Sequence, residues 1–201
     1  MPSSASRPAL LGGRLSVDFV NAAPLNAELS WERLIQFLNS TNIVTTERGI
    51  QLLGLPQIDP QAAEALLLKA RRLNVALRKA FAAMVRKQRM AGEWIGPVNE
   101  ILRVTEGHDE LVGQDSTWKI EFVAREGGLD WLLAAVARSG AEIIAEGTRA
   151  RLRLCANLRC GLFFYDDSRT HRRRWCSMAL CGNRSKVAAF ARKHALARSA
   201  S

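Results

Sequence analysis

The sequence predicts a mainly α (α+β) protein in two unequal parts. One is a helical N-terminal domain with room for a small β-hairpin, and the other is a small C-terminal zinc-binding module ending in a helix. Three observations predict this. Apolar residues recur at helical spacing through most of the first 148 positions. All four cysteines fall between positions 155 and 181. The charge also divides: residues 1–148 carry 16 Lys and Arg against 17 Asp and Glu, residues 149–201 carry 13 against 2, and the sum is the net +10 of the chain. A chain of 201 residues can bury one medium core and carry an appended module. The expected division is a disordered Ser/Ala/Pro tail at 1–9, a helical domain at 10–148, and the cysteine module at 149–201.

In chain order, 15–20 (LSVDFV) reads as a short strand or the first turn of a helix, with Asp18 its acidic position. Ser30 can cap a helix from 31 to about 39 that turns Leu34, Phe37 and Leu38 inward. A second short helix starts near Thr46 and stops before Gly54. Asp59-Pro60 then supplies an N-cap followed by proline at the first helical position. The pattern continues to about Arg89, with Leu66, Ala70, Leu73, Leu77, Ala80 and Met84 on one face and Lys69, Arg72, Lys79 and Arg86 on another. That polar face reads as a solvated surface opposite a core stripe, or else as a nucleic-acid surface. A further helix covers 98–104, starting as early as Trp94 if Gly96-Pro97 bends it. Two β-like runs follow, 101–105 and 117–124, parted by a Gly/Asp/Gln-rich loop. Trp118, Ile120 and Phe122 alternate as in a half-buried strand, so a hairpin can form, closed by Gly127-Gly128. Residues 129–147 read as one or two helices.

No export signal opens the chain, and no stretch reaches the roughly eighteen uninterrupted apolar residues of a spanning helix. The best candidate, 131–145, is broken by Arg138 and Glu142. These features predict a cytoplasmic protein with no membrane partner. In a reducing compartment, paired cysteines favour metal binding over disulfides.

Cys155 and Cys160 are parted by four residues, Cys176 and Cys181 by four, and the two pairs by fifteen. Thiolates are the usual ligands of structural zinc, and two close pairs can enter one tetrahedral site from two turns. The reading is therefore one structural Zn2+ on Cys155, Cys160, Cys176 and Cys181. Iron–sulfur chemistry or disulfides are the competing uses of the same pattern. His171, between the pairs, could replace one thiolate; otherwise it contacts phosphate or lies in solvent. Four protein ligands leave no position for a catalytic water. No phosphate loop, nucleophile elbow or His/carboxylate metal motif is present either, so no enzymatic activity is expected.

Around the cysteines lie Arg169, Arg172, Arg173 and Arg174, and past them a helix over 185–197. Val187, Phe190 and Ala191 are expected to pack inward there, with Lys186, Arg192 and Lys193 facing elsewhere. Phe163, Phe164, Tyr165 and Trp175 are expected to fill the module's small core. Arginine forks suit phosphates and guanine edges. A charge run is often only a solvated face, but a net +11 within 149–201 on a metal scaffold points to nucleic acid.

The run Arg173-Arg174-Trp175-Cys176-Ser177-Met178, followed by Cys181-Gly182-Asn183-Arg184 and Lys186, resembles the CGNR zinc-finger family. Upstream, Cys155-x4-Cys160 and Phe164-x-Asp166 fit the same resemblance. Leu15-Ser16-Val17-Asp18-Phe19-Val20-Asn21 resembles the opening of the helical domain that accompanies this finger in bacterial stress-induced transcription regulators. The resemblance is sharp over 155–186 and loose over 22–148. It implies the four cysteines as zinc ligands and DNA binding by the finger. The expectation is then a transcription regulator whose N-terminal domain serves dimerisation or senses a small-molecule effector. Arg172, Arg173 and Arg174 would anchor phosphates, and Arg184, Lys186, Arg192 and Lys193 would lie near the duplex. Arg184 could equally bond carbonyls of the metal loop. An RNA-binding protein and a zinc-stabilised protein-interaction module are the alternatives.

Overall fold

The structure, a computed structural model, describes residues 10–23, 28–104, 107–114, 117–124, 128–188 and 190–191. Its elements are α1 (Leu15–Ala22), α2 (Trp31–Ser40), α3 (Thr46–Leu53), α4 (Leu55–Ile58), α5 (Pro60–Val85), α6 (Gly96–Val104), β1 (Gly107–Gln114), β2 (Thr117–Ala124), α7 (Ala134–Glu146), β3 (Leu152–Leu154) and β4 (Phe163–Tyr165). A last helix, α8, covers 183–188. The mainly helical class with one hairpin and a cysteine module is what the sequence predicts. The expected tail at 1–9 and the helix beyond 191 lie outside the described residues.

The stretch 15–20 is helical. Its period is hard to read because Ser16, Val17, Phe19 and Val20 are all buried. The helix lies among α5, α7 and β4 instead of facing solvent on one side. Ser16 meets Ser139 of α7 through paired hydroxyls at 3.0 Å. At the other end, the last turn of a helix leaves carbonyls unsatisfied, and α5 supplies their donors. Asn74 Nδ2 donates to the Phe19 carbonyl at 2.8 Å, and the Arg78 guanidinium donates to the carbonyls of Val20 and Ala23. The buried Asn74 is thus a satisfied polar group.

Ser30 caps α2 as expected, its Oγ accepting from Arg33 N at 3.3 Å, and Leu34, Phe37 and Leu38 are fully buried. Thr45 caps α3. Asp59 Oδ1 accepts from Ala62 N at 3.0 Å with Pro60 at the first helical position, starting α5 where the sequence places it. The helix ends at Val85, short of Arg89. Gln88 N donates to Ala83 O and Lys87 N to Met84 O, with Lys87 at φ 54°, so the chain turns out through a left-handed residue. Glycine usually marks such a stop, and lysine gives no sequence signal. The polar face of α5 is not wholly solvated, since Lys69 Nζ pairs with Asp130 at 2.6 Å and Arg72 with Glu100 at 3.2 Å.

The first β-like run is not a strand. Residues 101–104 complete α6, with Ile101 buried, and Thr105 lies outside the described residues. The strand comes instead from the expected loop: Gly107–Gln114 pairs antiparallel with Thr117–Ala124, from Gly107↔Ala124 to Gln114↔Thr117. Backbone pairing with Thr117–Ala124 overrides the weak β-propensity of GHDELVGQ. The burial of Trp118, Ile120 and Phe122 lies outside the described residues.

At the C-terminal end, β3 and β4 pair antiparallel with Leu152 opposite Tyr165 and Leu154 opposite Phe163. The free edge of β4 is covered by the N-terminal segment. Tyr165 N donates to Gly12 O at 2.7 Å. Asn21 of α1 uses its whole amide: Nδ2 donates to Phe163 O at 2.8 Å, and Oδ1 accepts from Phe163 N at 3.0 Å. Asp18 Oδ1 accepts from Gly12 N at 2.7 Å and so holds that segment in place.

Replacing Asn21 with Ala strips both partners from the Phe163 peptide groups. We expect a loss of about 2 kcal/mol in urea denaturation, because partly buried backbone groups left unpaired cost about 1–3 kcal/mol. Asp18 makes a second, pH-dependent prediction. Burial raises its pKa from 3.8 to about 6, outweighing the backbone N–H donors of Gly12 and Leu11 that lower it. The folded state therefore holds a proton that the unfolded chain releases near pH 4, and stability falls as pH rises from about 4 to about 6. Asp18→Asn keeps the acceptor oxygen and removes the titration. Relative to the parent, it should be neutral near pH 4 and stabilising above pH 6 in denaturation curves; an unchanged difference across that window would contradict the assignment.

Candidate metal centre

Each four-residue interval between cysteines is spanned by one turn with its own polar organiser. In the first, Asn157 O accepts from Cys160 N at 2.8 Å and Asn157 Oδ1 accepts from Arg159 N at 3.2 Å, which folds Cys160 back toward Cys155. Bonds from Cys155 N to Leu162 O and from Ala156 N to Arg174 O fasten this turn to its surroundings. In the second, Ser177 Oγ accepts from Leu180 N at 3.3 Å, and Ser177 O accepts from both Cys181 N and Gly182 N at 3.0 Å. The chain passes through a turn of π-helix over Met178–Gly182 before entering α8.

These turns bring all four Sγ atoms within 4.8 Å of one another, with Cys160 to Cys176 and Cys176 to Cys181 both at 3.7 Å. A tetrahedral thiolate site with metal–sulfur bonds near 2.3 Å has sulfur–sulfur edges of about 3.8 Å. Disulfide sulfurs stand about 2.05 Å apart, so the cysteines here are unbridged. Cys155, Cys176 and Cys181 are buried and Cys160 is half-buried. Burial raises the Cys160 pKa to about 11, and burial plus the neighbouring sulfurs raises Cys176 further still. Cys155 also loses water, but N–H donors from Cys176 and Asn157 and thiol donors from Cys160 and Cys176 bring its pKa below the usual value. Four thiols cannot all ionise in so small a space without a cation among them. The donor set fits one tetrahedral thiophilic ion.

His171 is not a member. Among the described residues the cluster consists of the four cysteines, while His171 Nδ1 lies 3.4 Å from Arg151 and 3.4 Å from the Asp166 carbonyl.

Asp166 organises the adjoining loop. It is fully buried, and its carboxylate accepts from Ser168 Oγ at 2.6 Å, Ser168 N at 3.2 Å and Arg173 N at 3.0 Å. It also pairs with Arg153 Nε of β3 at 3.0 Å. Burial opposes its charge, yet these donors together hold its pKa below the ordinary carboxylate value. Arg173 continues the chain of contacts. Its guanidinium donates to the carbonyls of Trp175 and Cys176 and lies 4.9 Å from the Phe164 ring centre. Its donors are thus engaged inside the module, next to a ligand cysteine. In the sequence Phe164-x-Asp166 enters only as part of the family resemblance, and the supporting roles of Asp166 and Arg173 are not legible without the fold.

The remaining basic residues are placed differently. Arg172 and Arg174 are exposed, and Arg174 lies over the Trp175 ring at 5.1 Å. Beside them is a shallow cavity of about 270 Å³ that Met178 also lines. Arg184 and Lys186 are exposed on α8. Arg192 and Lys193 lie outside the described residues.

Two packing expectations need correction. Val187 and Phe190 do not pack inward; they are 69% and 66% exposed, and Ala191 is exposed too. The module's interior is built instead from the cysteines and Phe164, with Leu11, Leu162 and Trp175 against them. Phe163 and Tyr165 belong to the helical domain's core instead. The strand's period of two sends Phe164 to the sulfurs and its neighbours the other way: Phe163 meets Phe81 of α5 edge-on, and Tyr165 hydroxyl bonds Glu146 of α7.

Comparison with known families matches both parts of the chain. Residues 151–194 match the model of the CGNR zinc finger, zf-CGNR. Residues 13–147 match ABATE, described as "Putative stress-induced transcription regulator". No curated protein matches the chain.

If Asp166 holds the loop that supports Cys176, its loss should reach the metal. The parent should bind one divalent ion per chain, and Asp166→Ala should bind it about 10-fold more weakly in chelator competition, as for other residues that support metal ligands. Unchanged affinity would make Asp166 irrelevant to the centre.

Proposed function

The chain belongs to the ABATE family of putative stress-induced transcription regulators, and from that membership we propose that it regulates transcription by binding duplex DNA through its C-terminal module. One structural zinc ion, held by Cys155, Cys160, Cys176 and Cys181, would fix the two turns that present the basic surface. With all four positions taken by thiolates, zinc has a folding role here, contributing on the order of 10–16 kcal/mol of apparent stability to a module with little core of its own.

The observation that carries the reading is the division among the arginines. Arg173 is spent on the module's own carbonyls, whereas Arg172 and Arg174 on either side are exposed. We assign Arg172 and Arg174 to phosphate contacts, with Arg184 and Lys186 at the start of α8 close to the same strand. Arg173 is the scaffold of that surface. Trp175 is half-buried beneath Arg174, an arrangement that offers little free ring for base stacking and favours a duplex over single-stranded RNA. Among the described residues, no helix is long and apolar enough to cross a membrane.

The test is binding of the metal-loaded protein to duplex DNA, RNA and an acidic protein across a salt series. Duplex DNA should bind best, with affinity falling steeply as salt rises. The double variant Arg172→Ala/Arg174→Ala should bind more weakly and flatten the log–log salt slope by about 2, one counterion per lost phosphate contact. It should keep its metal, whereas Arg173→Ala should lose metal affinity. Absence of duplex binding even at low salt would refute the proposal, and preference for the acidic protein would replace it with the protein-interaction reading.

A further inference from the structure

The long helix α5 carries a second stripe that the core does not use. Leu68 and Val75, two turns apart, are 56% and 51% exposed. Arg71, Arg72, Arg78 and Lys79 fall on the same side at helical spacing. Trp94, just before α6, and Pro97, in its first turn, line this stripe, together with Ala23 and Leu29. Together they enclose an open cavity of about 540 Å³, within the range of small-molecule sites, roughly 300–1,000 Å³.

Its electrostatics are unbalanced in a specific way. Arg71 and Arg72 are already matched by Glu28 at 3.1 Å and Glu100 at 3.2 Å. Glu93, the other acidic residue of the lining, accepts from Trp94 Nε1 at 3.1 Å. Arg78 is half-buried and its partners are the neutral carbonyls of Val20 and Ala23. Burial lowers its pKa, a sign of a cation that has lost water without gaining a counter-ion. Lys79 has no ionic partner among the described residues. Among the described residues, Arg78 and Lys79 therefore border an apolar wall with no carboxylate paired to either of them, Glu93 being held on Trp94 instead. A bare phosphate would gain nothing from Leu68, Val75 and Trp94, and a neutral hydrocarbon would gain nothing from the cations.

We infer that this groove binds a small amphipathic organic anion, a carboxylate on an aromatic or aliphatic body, with the headgroup at Arg78 and Lys79 and the body against Leu68, Val75 and Trp94. Its role as an effector rests on the regulator reading; its binding does not. A guanidinium has five donors, so Arg78 can accept the anion while still holding the end of α1. The Val20 carbonyl that Arg78 holds is one residue from Asn21, which bonds β4.

The experiment is isothermal titration of the full metal-loaded chain, without nucleic acid, using 2-naphthoate, octanoate, neutral 2-naphthamide and inorganic phosphate. The two carboxylates should saturate one site per chain, with the amide and phosphate at least about 10-fold weaker, the scale of one lost charge-assisted contact. Lys79→Gln should weaken 2-naphthoate by about 10-fold, and Val75→Glu should abolish its binding; both positions are exposed, so neither change threatens the fold. The inference is overturned if neither carboxylate saturates at millimolar concentration, if the amide binds as well as the acid, or if both variants bind like the parent. Loss of DNA binding would leave this result standing, and loss of carboxylate binding would leave the DNA reading standing.

Discussion

The structure depends on how α1 is held. It is only 8 residues long, too short to be stable alone, and its ends would leave polar groups unsatisfied in a buried setting. The chain solves this with side chains from elsewhere. Asn74 and Arg78 of α5 cap its last carbonyls, Ser139 of α7 meets its first turn, and Asn21 turns outward to act as a strand for β4. A single amide that donates to and accepts from the same residue imitates the pairing of an adjacent strand. Without it, the edge of a 3-residue strand would carry unpaired backbone groups into the interface. The helical domain and the metal module are therefore joined by backbone hydrogen bonding as well as by apolar contact.

That junction changes what the metal module is. The sequence suggests a self-contained appendage, but its strand β4 serves two cores at once. Phe163 and Tyr165 complete the helical core while Phe164 lies beside the sulfurs. The cysteine cluster packs on one face of the strand, and α1, α5 and α7 pack on the other. The buried Asp166 extends this rigidity into the arginine loop, because its donors include Arg153 on β3 and the main chain of Arg173. The exposed Arg172 and Arg174 thus stand on a loop tied at both ends.

Much of this was legible in the sequence, for physical reasons that can be named. Ser30, Asp59-Pro60 and the stripe from Leu66 to Leu77 are local signals, and local signals survive folding. The cysteine spacing was readable because a tetrahedral site restricts which spacings can close. The failures are non-local. The strand Gly107–Gln114 exists through its partner, since Val112 is its single β-branched residue and no alternation announces a strand. The end of α5 depends on a lysine in a left-handed conformation, where a glycine would have been visible. Arg173 looks like Arg172 and Arg174 in sequence, and only the positions of the Trp175 and Cys176 carbonyls separate a scaffold residue from its exposed neighbours.

The same logic explains why the charge is concentrated where it is. Thirteen basic residues against two acidic ones within 149–201 would repel one another in a flexible segment and favour expansion. One acidic residue acts against that repulsion within the segment, Asp166 holding Arg153, while Asp167 reaches outside it to Arg14 at 3.4 Å, at the start of α1. Arg14 also lies over the Tyr165 ring at 4.4 Å, so the second acid ties the basic module back to the helical domain. Among the described residues, Arg172, Arg174, Arg184 and Lys186 are exposed without an acidic partner, as are Arg149, Arg151 and Arg159. The positive surface is held here by the cysteine turns, the buried carboxylate and α1, which supply the cohesion that the basic residues themselves cannot.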